Sequence, residues 1–211
     1  MTGDMEWDQW RRAAFGDPYL VWHDGPDFTA VLDLARSDPA TVTRMLRAGL
    51  AERDELAAQA FGALAAAGLA PADAASMLRS AMAEATDGFL LRLAEALFAV
   101  TGDPSWAGPI VSVLRAARSE FTRLAAAMAL AAFPPAGPLV EALAGAVQDP
   151  EYLVRYHAAN TLLRYAGDAR ELSDRADLFD KIATPRAGNP TNADREAWQA
   201  AAAELTARVR R

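Results

Sequence analysis

The chain carries two histidines, His23 and His157, and no cysteine. Thiolate nucleophiles, disulfides, zinc fingers and iron–sulfur sites are thereby excluded. His23 stands beside Asp24 in the run Tyr19-Leu20-Val21-Trp22-His23-Asp24-Gly25-Pro26-Asp27. A carboxylate next to an imidazole can orient a general base. No nucleophile is paired with it, however, and a polar turn leading into a helix capped by Asp27 accounts for the same residues. His157 lies beside small apolar residues in a repeated segment and reads as a structural histidine. There is no histidine pair at i, i+4 and no calcium-loop pattern, and Gly62, Gly88 and Gly102 are isolated. The expectation is therefore no metal, no cofactor and no catalytic residue.

Phosphate recognition is the next chemistry to weigh. Arg92, Arg123, Arg155 and Arg164 recur along the chain. Arg123 and Arg155 sit where an arginine would pair with a neighbouring acidic turn, and Asp149 and Glu120 are the local candidates. The formal net charge is -7 and the sequence pI about 4.9. A surface of that sign repels a phosphate backbone at long range. A nucleic-acid partner is not expected, and a basic protein or peptide fits the charge better. The positive side chains are almost all arginine, Lys181 being the only lysine.

These residues must be positioned by helices. Of the 211 residues, 52% are hydrophobic and 23% charged, enough for a packed core. Apolar residues recur at spacings of three and four, in segments rich in Ala, Leu, Arg and Glu. No segment alternates long enough to predict a strand. The longest apolar run, Leu124 to Phe133, is ten residues and ends at Pro134 and Pro135, short of the roughly 20 needed to span a bilayer. Asp4, Glu6 and Asp8 stand where a signal peptide requires basic and then apolar residues. A cytoplasmic protein without a membrane span is expected.

The helical segments repeat. Leu64, Leu97, Leu130 and Leu162 are spaced by 33, 33 and 32 residues, within the range of stacked helix pairs. Eight positions before each stand Leu56, Phe89, Thr122 and Val154; four before stand Ala60, Leu93, Ala126 and Ala158. Pro39, Pro71 and Pro104 mark the starts of first helices, with Asp38 and Asp103 as N-cap candidates. Those helices carry Met45-Leu46-Arg47, Met77-Leu78-Arg79, Val113-Leu114-Arg115 and a degenerate Ala142-Leu143-Ala144. A further pair is predicted over Leu172 to Ile182 and Ala193 to Val209, joined by a turn-rich loop at 184–192, the expected mobile segment. Ahead of the repeats, helices near Met5 to Phe15 and Phe28 to Ser37 flank the Gly/Pro/Asp-rich loop. The prediction is an all-α, right-handed α-solenoid of about five helix-turn-helix repeats. It divides into an N-terminal helical cap (1–37), four units (38–167) and a degenerate C-terminal unit (168–211).

The segment Asp149-Pro150-Glu151-Tyr152-Leu153-Val154-Arg155-Tyr156-His157-Ala158-Ala159-Asn160-Thr161-Leu162 resembles the second helix of a HEAT repeat. The features that carry the likeness are an acidic-Pro turn, Val-Arg, Ala-Ala and a late Leu. Thr122-Arg123-Leu124-Ala125-Ala126 with Leu130 is similar, whereas Leu56-Ala57 and Phe89-Leu90 replace Val-Arg earlier. The resemblance covers residues 38–167 best. It implies the fold and leaves the function open, because HEAT-like proteins include scaffolds, transport adaptors, bilin lyases and a class of DNA glycosylases.

In such an architecture the second helices line the concave side. The repeat register then projects rows that include Leu91, Leu124 and Tyr156; Glu95, Met128 and Asn160; and Phe98 and Leu163. An exposed apolar face of this kind marks a partner surface. Shifted by one position, the same residues would pack between helices. A second aromatic cluster comprises Trp7, Trp10, Phe15, Tyr19 and Trp22. With His23 it reads either as a cap packing on the first unit or as a secondary partner patch. The expected function is non-catalytic binding of a protein or peptide along the concave face, with Glu95 among the acids steering a basic partner. An immunity- or inhibitor-type protein is one concrete form. The alternative is a lyase-like or glycosylase-like helical-repeat enzyme, with its site in the 19–27 loop or the groove.

Overall fold

A computed structural model describes residues 7–185 and 189–210, and for Trp22 the backbone alone. The residues described form thirteen α-helices with short 3-10 turns and no strand. By its internal contacts the chain divides into two units, 1–106 and 107–211. The division falls inside the segment predicted as four consecutive repeats.

The first unit contains α1 (Trp7–Phe15), α2 (Pro18–Asp24), α3 (Thr29–Ser37), α4 (Pro39–Ala51), α5 (Glu55–Ala66), α6 (Ala74–Met82) and α7 (Asp87–Thr101). The helix starts follow from local side chains. Asp38 accepts the Thr41 N–H with Pro39 at the first helical position, and Asp54 accepts the Leu56 N–H. Helix α2 corrects the expected loop over 19–27. Asp17 accepts the Tyr19 N–H and Pro18 opens the helix, a start signal as complete as that of α4. Pro71, by contrast, lies in the turn before α6, its carbonyl accepting from Ala74 N–H.

Within this unit α4 packs on α5 and α6, and α7 packs on α5 and α6, so the α4/α5 and α6/α7 hairpins pack against each other. Leu64 and Leu97 are fully buried together with Ala60, Phe61 and Leu93. Helix α1 closes the end of the stack against α3 and α4. Its Trp7 indole N–H donates to Asp54 Oδ2 at 3.0 Å, and Arg11 pairs with the same carboxylate at 2.7 Å. Gly49 makes this docking possible: a Cβ there would come within 2.6 Å of the Trp7 ring and 2.7 Å of Ala57.

The second unit contains α8 (Ala107–Ala116), α9 (Glu120–Ala129), α10 (Gly137–Ala146), α11 (Tyr152–Tyr165), α12 (Ala176–Ile182) and α13 (Asn192–Val209). Helix α11 packs on α9, α10 and α13, and α10 packs on α8. The predicted helix over 172–182 is a 3-10 turn, Leu172–Asp174, followed by α12. Thr191 opens α13 with a capping box to Asp194. Within the predicted 184–192 loop, Arg186, Ala187 and Gly188 lie outside the described residues. No helix among the described residues is long and apolar enough to cross a membrane.

Two arginines bind the second unit internally. Arg123 donates to both oxygens of Asp149, at 2.7 and 3.1 Å, and to the carbonyls of Ala117 and Arg118. Arg155 is only 1% exposed and pairs with no carboxylate among the described residues. It donates to the carbonyls of Asp149 and Pro150 behind it and of Ile182 and Thr184 ahead of it. Its guanidinium carbon lies 4.0 Å from the Trp198 ring centroid. The expected pairing with an acidic turn therefore holds for Arg123, through Asp149 and not Glu120. Arg155 takes peptide carbonyls instead, because Arg123 already occupies the Asp149 carboxylate.

Candidate functional site

Single exposed apolar side chains are ordinary, but a contiguous set of them marks a candidate contact surface. Among the described residues, the large apolar side chains left exposed are Tyr19 and Leu20 on α2, and Phe121, Met128, Tyr152 and Leu153 on α9 and α11. The second set is the denser. Phe121 is 72%, Leu153 52% and Met128 50% exposed. Phe121, Leu124 and Met128 recur at three- and four-residue spacing, which places them on one face of α9. Helix α11 packs alongside.

Between the first turns of α9 and α11 lies a cleft of about 120 Å3, lined by Glu120, Phe121, Leu124, Glu151, Tyr152, Leu153 and Val154. Local sequence sets its geometry. Ser119 caps α9, and Asp149 accepts the Glu151 N–H at 2.9 Å, so both helices start at the cleft. The apolar surface continues along α11: the Tyr152 and Tyr156 rings are 5.9 Å apart, and the Tyr156 and His157 rings 5.3 Å. Burial raises the Tyr152 phenol above its usual range, with Tyr156 adding to the effect and Arg155 opposing it. Burial also depresses His157, against an opposing pull from Glu171. Both side chains are therefore neutral at pH 7, so the floor of this surface carries no charge of its own.

The predicted partner residues divide. Leu124, Met128 and Tyr156 lie on this surface. Asn160 is turned to a structural task, its side-chain oxygen accepting the Leu172 N–H at 2.7 Å. Leu163 is a correction: it is fully buried, because α11 is enclosed by α9, α10, α13 and the Leu172–Asp174 turn. Leu91 is corrected likewise, buried in the first unit, where α7 is held between α5 and α6. Glu95 and Phe98, also in the first unit, are half-buried, and Glu95 accepts from Arg92 at 2.7 Å. Phe121, Tyr152 and Leu153 were not anticipated. An aromatic or leucine in a first helical turn reads as a core residue unless the neighbouring helix is known to stop short of it.

The secondary cluster also divides. Trp7 and Trp10 are buried, packed ring to ring at 5.5 Å and against Phe15. They form a core rather than a partner patch, since Gly49 admits Trp7 deep into the hairpin. Tyr19 and His23 are on exposed α2, their rings 6.1 Å apart, and His23 Nδ1 is 2.6 Å from Asp24. The Trp22 side chain lies outside the described residues. Among the described residues no three His, Asp or Glu side chains converge as a metal site would require. Comparison of the chain with protein-family models, curated proteins and solved structures finds no match.

Proposed function

We propose that this protein is a non-catalytic, HEAT-like α-solenoid that binds another protein or peptide through the apolar surface of α9 and α11. On this reading the chain is a right-handed stack of about five helix pairs, α4/α5 to α12/α13, acting in the cytoplasm. An inhibitor- or immunity-type role towards a basic partner is its most concrete form. The observation that carries it is the exposure of Phe121, Met128, Tyr152 and Leu153, with half-buried Leu124 between them, on two neighbouring helices. Support for the repeat comes from the stacking of alternate helices within each unit and the full burial of all four register leucines.

The test is site-specific photocrosslinking in the native cell extract, with p-benzoyl-phenylalanine replacing Leu124, Met128 or, as a control, the exposed Ser112 of α8. A discrete protein adduct at 124 and 128, absent at 112 and competed by unlabelled wild type, is expected. Equal labelling at all three positions, or none at 124 and 128, rejects the reading.

A further inference from the structure

The cleft between the first turns of α9 and α11 specifies more about its occupant than apolarity. Each helix contributes an acid followed by an aromatic residue, Glu120-Phe121 and Glu151-Tyr152, and all four side chains line the cleft. Glu120 and Glu151 are exposed, and neither carboxylate has a hydrogen bond or ion pair among the described residues. Nor is either used as a helix cap: Ser119 caps α9, and Glu151 makes no side-chain cap hydrogen bond. The nearby cations are engaged elsewhere. Arg123 is held by Asp149, and Arg155 is buried under Trp198. Glu120 and Glu151 are therefore the outward-facing charges at the two ends of the cleft, both felt by Arg123, while the buried Arg155 lies beneath it, 5.9 Å from the Tyr152 ring.

We infer that this cleft docks a basic amphipathic helix of a partner protein; the inference rests on the reading of α9 and α11 as the binding surface. One bulky apolar side chain of the partner enters between Phe121 and Leu153. Lysine or arginine side chains one turn to either side reach Glu120 and Glu151. A helix laid between two helices presents anchors at i, i+3 and i+4, which matches an apolar slot with a carboxylate on each side. An acidic helix would meet two exposed carboxylates that make no ion pair among the described residues, and be repelled.

The probe is a fluorescein-labelled Leu/Lys amphipathic peptide of about 14 residues, ~21 Å long as a helix, measured by anisotropy on the full chain. Leu/Glu and sequence-scrambled Leu/Lys peptides serve as comparisons. The Leu/Lys peptide is expected to bind, and the other two to bind at least about tenfold more weakly. Phe121→Ala with Leu153→Ala should cost at least about tenfold in Kd, and both side chains are exposed, so the fold is left intact. Glu120→Gln with Glu151→Gln should weaken binding several-fold and flatten its salt dependence. Glu52→Gln with Glu84→Gln, exposed acids of the first unit, should leave it unchanged. Equal binding of the Leu/Glu peptide, wild-type affinity in either cleft variant, or an equal loss in the control variant overturns the inference. So does concentration-dependent dimerisation at pH 7 that Phe121→Ala abolishes, because a second copy would then be the occupant. Failure of the Leu/Lys peptide while photocrosslinking at 124 and 128 persists rejects only the basic helix; loss of that crosslinking rejects the underlying reading.

Discussion

Arg155 concentrates more structural consequence than any other side chain described. Its hydrogen bonds among the described residues all run to carbonyls, and the Trp198 and Tyr152 rings flank it, so geometry rather than a paired carboxylate holds this buried guanidinium. Burial lowers its pKa, opposed by Asp149 and Glu151. Arg155→Lys cannot span four carbonyls on two sides, and Arg155→Met leaves them unpaired. Either should destabilise the fold by about 3 kcal/mol, read as a lower urea midpoint. Tyr165 is a milder case. Its hydroxyl donates to the Leu130 carbonyl at 2.6 Å, and burial pushes the phenol up to about 12. Tyr165→Phe should cost about 1–2 kcal/mol by the same measurement. His157 supplies a pH dependence. Its folded-state pKa is depressed, mainly by burial, so below the ordinary histidine range of about 6.5 the unfolded chain binds the proton first. The stability it contributes is present above that value and lost as pH falls through the depressed one. His157→Gln should flatten that limb of the stability profile, and an unchanged limb would assign it to another group.

At the scale of elements, Gly49 is a close packing constraint against a rigid ring and a backbone-anchored methyl. Gly49→Ala places a methyl inside the Trp7 contact distance, and overpacking of this kind costs roughly 1–3 kcal/mol. The expected outcome is a red-shifted tryptophan emission as α1 lifts, with α4 and α5 retained by circular dichroism. The helices themselves were largely legible in the sequence. Leu64, Leu97, Leu130 and Leu162 share a register, and all four are fully buried, because a side chain in the seam of a helix pair faces inward whatever packs beyond it. Exposure was not legible in the same way. Leu91 and Leu124 occupy one register row, yet Leu91 is core and Leu124 half-open. The difference lies in whether a neighbouring helix covers the row, which periodicity does not encode. Helix α2 is hidden for a different reason: it is seven residues long and lies among the Gly, Pro and Asp residues that make the segment read as a loop.

At the scale of the whole molecule, charge and the apolar surface act together. A net charge of -7 opposes association of copies at neutral pH, while an exposed apolar surface such as that of α9 and α11 promotes it. Near the pI of about 4.9 the repulsion vanishes. Light scattering should therefore rise on acidification to that point, and Phe121→Ser with Leu153→Ser should suppress the rise. Scattering that is equal in the variant and the wild type would assign the association to another surface.

The carbonyls that Arg155 joins belong to two different stretches of chain, the turn before α11 and the segment after α12, and Trp198 on α13 covers it. Local opening of α12 and α13 would therefore leave a charged group half-solvated inside what remains. Helices α12 and α13 are therefore expected to open together with α11 as one cooperative block. Amide exchange should accordingly be as slow in the middle of α13 as in α11, and Arg155→Met should uncouple the two.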